Sequence, residues 1–227
     1  LLPHFNIHLM SNRRQFIATS VAISSLGGLV DALAMGQRPL QSGIRRIKGE
    51  VFLNGGVARI EQAILPGDTI STGALSETVF VMGDNAYLLR EKSSLQFAQD
   101  EVVSVLRLIS GKALAVFGPG PKRIETRAAT VGIRGTACYM EAQETQLYFC
   151  LCYGTADIKP LANPDLARSL TTRYHDMPMY ISYDSSQPVL RPAPVINHRD
   201  SELVLLEETV GRQPPFVQKP AQEPSSY

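Results

Sequence analysis

Cys150 and Cys152 stand two apart in the run YFCLCYG, residues 148–154, and Cys138 is the one other cysteine of the chain. On an extended strand, residues i and i+2 project to the same face, about 6.5–7 Å apart along the chain. Disulfide Cβ atoms approach to roughly 3.5–4.5 Å. Cys150 and Cys152 are therefore poorly placed to bond each other and better placed to hold one ion together or to face a third partner. His175, in Tyr174-His175-Asp176, and His198, in Asn197-His198-Arg199-Asp200, are the histidines beyond the N-terminal stretch. Two cysteines and two histidines suit a tetrahedral zinc site, and haem or an iron–sulfur group draws on the same donor types. The spacing is unlike that of a zinc finger, so two alternatives stay open. One is a disulfide. The other is no cofactor at all, with the thiols as small buried hydrophobes and the histidines as surface hydrogen-bonders.

Whether Cys138 joins the set depends on a hairpin. Thr136–Glu141 and Leu147–Tyr153 read as its two strands. A loop centred on Glu144 pairs Cys138 with Cys150 and puts all three sulfurs on one side. A two-residue loop at Glu144-Thr145 pairs Cys138 with Leu151 and sends it to the opposite side.

The elements that must position these residues are short strands. Ile47–Leu53 ends at Asn54-Gly55-Gly56, a turn signal, and Val57–Leu65 ends at Pro66-Gly67-Asp68. Thr78–Met82 and Ala86–Arg90 flank Gly83-Asp84-Asn85. Val102–Ile109 and Lys112–Phe117 flank Ser110-Gly111, and Gly118-Pro119-Gly120-Pro121 is a loop. Val, Ile, Thr and aromatic residues fill these runs, as a pleated half-buried surface requires. The pattern predicts an all-β domain over 45–160, a single β-sandwich or roll of short antiparallel strands. From residue 161 to 217 prolines break the periodicity and predict an irregular arm draped on that domain. Within it 200–210 reads as a helix. Asp200 can cap its start, Leu203, Leu206 and Val210 share a face, and Gly211 can close it. Residues 218–227 read as a disordered tail.

Net charge is +1 with 19% charged residues, which gives no electrostatic case for nucleic acid or an anionic membrane. Three cysteines are too few for a disulfide-framed miniprotein. Residues 1–34 read as an N-terminal extension and a leader. Leu1–Leu9 look like an upstream start or a fragment edge. Ser11-x-Arg13-Arg14-x-Phe16-Ile17 resembles a bacterial twin-arginine leader, with an exit after Ala34. The resemblance implies a periplasmic protein, folded before export. A retained membrane anchor is the alternative.

The strand segments resemble the FecR-type periplasmic domain family. The matching pieces, in order, run from Gly49 through Phe97, then LISGKALAVF, then IETRAATVGIRGTACYMEA, then YFCLCYGTADI. Leu65-Pro66-Gly67-Asp68-Thr69-Ile70-Ser71-Thr72-Gly73 and Thr130-Val131-Gly132-Ile133-Arg134-Gly135-Thr136 carry most of the likeness, which covers about half the chain. The resemblance implies an all-β fold and a binding or sensing role. It favours the two-residue hairpin loop, with Cys138, Leu147, Phe149 and Leu151 in the core and Cys150 and Cys152 facing outward under the arm. Arg134 is expected to be a structural hydrogen-bonding residue. The best-known members relay a signal from an outer-membrane receptor to a cytoplasmic sigma factor. With only Met10–Gln15 ahead of the apolar run, that relay is not implied here.

Three function classes follow. The first is a non-catalytic exported binding or sensing module with a protein or glycan partner in the cell envelope and an exposed groove or edge. The second is a metal- or cofactor-bearing periplasmic redox protein on the same fold, resting on Cys150, Cys152, His175 and His198, with Cys138 as a further candidate ligand. The third is an enzyme, for which Asp68, Asp84, Glu125 and Asp157 offer carboxylates but no telling spacing, and no nucleophile motif is present.

Overall fold

The computed structural model describes residues 42–98, 103–186 and 188–217. The leader and the tail 218–227 lie outside the described residues. Fourteen strands join in one hydrogen-bonded sheet, so the chain is all-β as its turn spacing requires. The strands are β1 (Gly43–Lys48), β2 (Val51–Leu53), β3 (Gly56–Val57), β4 (Thr69–Thr72), β5 (Glu77–Met82), β6 (Asn85–Leu89) and β7 (Ser94–Ala98). They continue as β8 (Ser104–Val116), β9 (Pro121–Glu125), β10 (Ala129–Ala142), β11 (Gln146–Pro160), β12 (Arg168–Thr172), β13 (Met179–Ser182) and β14 (Leu190–Pro192). One α-helix follows among the described residues, α1 (Asp200–Thr209). The main path of the sheet runs β14-β13-β11-β10-β9-β8-β7-β4-β2-β3, with β1, β5 and β6 branching from β8 and β12 lying beside β11.

Three strands are long rather than short, and each changes partners along its length. The expected turn at Ser110-Gly111 is instead a bend inside β8. Its first part pairs with β7 and, in parallel, with β9. Its second part pairs with β6 and β10. The ladder slips where Ser94 faces Ser110 but Leu95 faces Leu108. Gly111 has φ 77°, and a Cβ there would sit 2.5 Å from the Ser93 Cα. A bulge and a tight turn use the same Ser-Gly chemistry, so the sequence alone does not separate them. β11 bends in the same way at Gly154, φ 94°, between its pairing with β13 and with β12.

Other expectations shift. Of Val57–Leu65 only Val57 is in a strand, because Glu61 takes φ 65° and breaks the pleat. β7 had no separate signal. Asp200 is the first helical residue rather than the cap. Arg199 stands at the N-cap position without a side-chain cap bond, and the Glu202 carboxylate accepts its backbone N–H at 2.9 Å. Gly211 closes the helix at φ 72°. Arg134 is exposed on β10.

The sheet buries two apolar faces. One cluster joins Ile44, Leu53 and Ile70 to Phe149, Leu151, Met179 and Ile181, strands from both ends of the path, so this face rolls onto itself. The second cluster, with Val81, Leu88, Leu114, Val116, Tyr139 and Tyr148, lies on the other face, and Leu203, Leu206 and Val210 of α1 pack on it. Strands buried on both sides read as unbroken apolar runs, as VFVM and AYLL do. Full burial of a leucine contributes about 1.5–3 kcal/mol, so Leu203 and Leu206, both wholly buried, hold α1 on the sheet. No helix of the described residues is long and apolar enough to cross a membrane.

Candidate metal centre

The hairpin between β10 and β11 closes with a two-residue loop. Gln143 N–H donates to the Gln146 carbonyl at 2.9 Å, and Ala142 pairs with Leu147. That register sets Cys138 opposite Leu151 and Tyr139 opposite Cys150. Side-chain alternation then sorts the thiols. Leu147, Phe149, Leu151 and Cys138 enter the rolled core. Tyr148, Cys150 and Cys152 enter the second cluster, beneath the arm. All three cysteines are free and fully buried.

The arm delivers the histidines to the same spot. His175 sits in the turn between β12 and β13, and its backbone N–H donates to the Cys152 carbonyl at 2.9 Å. His198 lies just before α1 and stacks on the Tyr139 ring, with centroids 4.8 Å apart and planes 18° apart. One ligand atom from each of Cys150, Cys152, His175 and His198 lies within 4.8 Å of every other. The structure thus brings together four of the sequence-selected residues and sends the fifth candidate, Cys138, to the opposite face.

The hydrogen bonds around the imidazoles fix which nitrogens point inward. His198 Nδ1 is 2.7 Å from the Ile196 carbonyl, which only accepts, so the proton is on Nδ1. His175 Nε2 is 3.3 Å from Asp200 Oδ1, again an acceptor. The free nitrogens, His175 Nδ1 and His198 Nε2, then face each other at 3.1 Å. His175 Nδ1 is also 3.5 Å from Cys150 Sγ. Two lone pairs at that distance call for a proton or a cation between them.

The 3.1 Å N···N and 3.5 Å S···N separations are close to the edges of a single tetrahedral ion. Zinc bonds of about 2.3 Å to sulfur and about 2.05 Å to nitrogen give tetrahedral edges of about 3.3 Å for N···N, about 3.6 Å for S···N and about 3.8 Å for S···S. A cluster with bridging sulfides or a haem needs a wider set. The site is closed as well. The His175 side chain is 7% exposed and His198 is 9% exposed. Four protein donors with no open position are the pattern of a structural rather than a catalytic ion.

The thiols are unequal. The Cys150 thiol is lowered to about 4 by the proton of Cys152, and then by His175 and His198, against the opposing effect of burial. Burial and the facing Cys150 sulfur push Cys152 well up. The pair is therefore biased toward a single thiolate, on Cys150. Burial works to lower His175, but the hydrogen bonds and charges of Cys150 and Asp200 outweigh it and raise it.

Asp200 is the site residue that sequence reasoning assigned to another task. Its Oδ2 accepts the Tyr174 hydroxyl at 2.6 Å while Oδ1 holds His175. A carboxylate two residues after a candidate ligand histidine was the available signal. Farther out, Glu141 accepts from the Tyr139 hydroxyl at 3.1 Å and the Asn197 amide at 2.9 Å. Arg90 binds Glu202 at 2.7 and 2.9 Å and the Asn197 carbonyl at 3.0 Å.

Two of the carboxylates weighed for catalysis, Asp68 and Glu125, serve structure. Asp68 accepts from the Leu65 N–H and the Asn54 amide in the turn. Glu125 pairs with Arg107 and Arg123, and the Arg107 guanidinium first of all lowers it. A mostly apolar cavity of about 550 Å³ is lined by Ile64, Tyr87, Phe97 and Phe117 among others, and by none of the four donors.

Residues 68–156 match the family model described as FecR protein. No curated protein matches the chain. Two crystal structures of a candidate anti-sigma factor from Parabacteroides distasonis resemble it at 12% identity, with TM-scores of 0.48 and 0.47. The likenesses cover 61% and 63% of this chain and 64% and 73% of the respective neighbours, so for the first the chain spans less than two thirds of the neighbour.

Proposed function

From the FecR domain that residues 68–156 carry, we propose that this chain is a non-catalytic sensing module of the periplasm, exported by its twin-arginine-type leader, with a protein partner in the cell envelope. It carries one metal ion, zinc by donor chemistry, on Cys150, Cys152, His175 and His198. The observation that supports the metal is the closed set of four donors within 4.8 Å, with the outer nitrogen of each imidazole committed as a donor. Borderline nitrogen and soft sulfur donors in a tetrahedron select zinc or iron over calcium and magnesium. Metal entry displaces to solvent the Cys152 proton and the proton held between His175 Nδ1 and His198 Nε2, and leaves two thiolates and two neutral imidazoles on the ion.

The redox-protein reading rests on the same donors. A closed site with no free position favours a structural ion over one that reacts. Purification of the full chain without oxygen or chelator, with elemental analysis and a thiol count, tests the centre. One zinc per chain, lost in Cys150→Ser and Cys152→Ser, is the expected result. Three titratable thiols with no metal in chain purified from zinc-supplemented cells would refute it. A redox-active iron would move the redox reading forward. For export, replacing both Arg13 and Arg14 by lysine should hold the protein in the cytoplasmic fraction. Unchanged periplasmic recovery would refute the leader reading.

A further inference from the structure

The four ligands come from two different layers. Cys150 and Cys152 belong to β11, in the middle of the sheet, whereas His175 and His198 belong to two loops of the arm. Loop 173–178 hangs between β12 and β13, which both pair with β11. Loop 193–199 hangs between β14, paired with β13, and α1, anchored by Leu203 and Leu206. Each loop is thus tethered at both ends by contacts that need no metal. Between the tethers the loops cover Tyr139 and Tyr148. His198 stacks on the first, and the Tyr148 hydroxyl donates to the Pro194 carbonyl at 3.0 Å.

His175, φ 47°, and Asn197, φ 57°, take the left-handed region, which histidine and asparagine enter more readily than most non-glycine residues but still at some cost. The inward nitrogens, 3.1 Å apart, share a proton when no cation lies between them, and an ion would take its place. Besides the His198 stack and the Tyr148 contacts, the loops are tied down by the His175 N–H bond to Cys152, by Asp200 on His175 and the Tyr174 hydroxyl, by the Ala193 N–H on the Pro178 carbonyl, and by Arg90 and Glu141 on Asn197. A bound ion would add four strong bonds across the layer boundary.

We propose that the centre is a hinged latch: a zinc ion on Cys150, Cys152, His175 and His198 closes loops 173–178 and 193–199 over Tyr139 and Tyr148, and its loss opens both loops while the sheet and α1 stay folded. This rests on the metal reading above and gives that site its regulation. The module then has two surfaces, one for each metal state, and reports zinc supply without a change of fold. His175 is the pivot. Its backbone faces Cys152, its Nδ1 faces the ion, and its Nε2 reaches Asp200 at the start of α1.

Hydrogen exchange on the full chain, loaded with zinc alone and then stripped with chelator, tests the latch, with zinc content measured on the same samples. The expected result is one zinc per chain, exchange at least about tenfold faster in 173–178 and 193–199 after stripping, and unchanged far-ultraviolet dichroism. His198→Ala should show the open pattern in 193–199 even with zinc present. The stripped wild type keeps the test valid should that variant fold poorly. No zinc uptake would overturn the centre itself. One zinc with unchanged loop exchange would overturn the latch and leave the centre. Global unfolding on stripping would overturn the latch in favour of an ion that the whole fold depends on.

Discussion

Asp200→Asn separates a metal centre from a buried polar cluster. The Asp200 carboxylate holds the Nε2–H of His175, which turns Nδ1 toward the thiols. A carboxylate behind a ligand imidazole sets its tautomer and raises its basicity, and losing it costs roughly 10–100-fold in metal affinity. The contact at 3.3 Å is long and the Asp200 side chain is 44% exposed, so solvent screening weakens it. The expected loss is therefore at the low end, about tenfold, or about 1.4 kcal/mol of binding free energy. Asparagine still accepts through its carbonyl, which keeps the ring oriented and isolates the charge.

The assay is zinc competition against a chromophoric chelator, with Asp176→Asn as the control. Asp176 lies next to His175, but its Oδ2 accepts the Arg173 backbone N–H at 3.0 Å, a contact that ties the turn and not the ligand. The control should bind zinc within about twofold of wild type, as expected for a carboxylate outside the ligand's hydrogen-bond chain. Asp200 is also the first residue of α1, so its neutralisation removes roughly 0.3–1 kcal/mol of helix–charge interaction. That loss appears in melts of both metal states, whereas the affinity loss appears only with zinc. Equal affinities of Asp200→Asn and wild type would refute the assignment of Asp200 to the ligand histidine.

Other outcomes follow from the same geometry. Cys138→Ser should keep one zinc per chain but lower the denaturation midpoint by the equivalent of about 1–3 kcal/mol, because it buries a hydroxyl in the rolled core. Leu206→Ala should destabilise the chain by about 2–5 kcal/mol in chemical denaturation, since α1 clasps the second face; a change below that range would mark the helix as a free docking element. In the metal-free protein the depressed Cys150 contributes stability that is full above the usual thiol value of 9.0 and is lost as pH falls through about 4. His175, raised, contributes stability that is full below its ordinary value and is lost as pH rises through its folded one. Melts of the metal-free protein should therefore show stability climbing as pH rises from about 4 to 6.5, the ordinary His175 value, and a flat profile over that span would exclude the depressed thiolate.

The chemistry of the site was legible because period-two alternation in YFCLCYG assigns its cysteines to one face whatever the neighbouring strands do. The remaining cysteine needed the hairpin register, which the Glu144-Thr145 turn fixes. The histidines could be named but not located, since nothing local says that residues 23 positions apart meet. Asp200 read as a cap because helix starts select carboxylates, and its second partner depends on loop 173–178 folding back. The bends at Gly111 and Gly154 were illegible for the same kind of reason. Each glycine answers to a strand distant in sequence or to a change of partner, and local chemistry cannot distinguish a chain that turns back from one that bends and continues.

β11 ties these features together. Over residues 147–152, its inward residues Leu147, Phe149 and Leu151 are apolar and fill the roll, while its outward residues Tyr148, Cys150 and Cys152 carry every polar side-chain atom. A one-residue slip against β10 would exchange the two sets. It would put a thiolate and a phenol in the rolled core and leave phenylalanine and leucine against the histidines. The cost of burying that charge is far larger than the cost of any single turn. The hydrophobic pattern that folds the domain is therefore also what keeps both thiols under the arm, so the donor set needs no separate device to assemble its sheet half. Only the two loops remain free to vary, and they are where an ion can act.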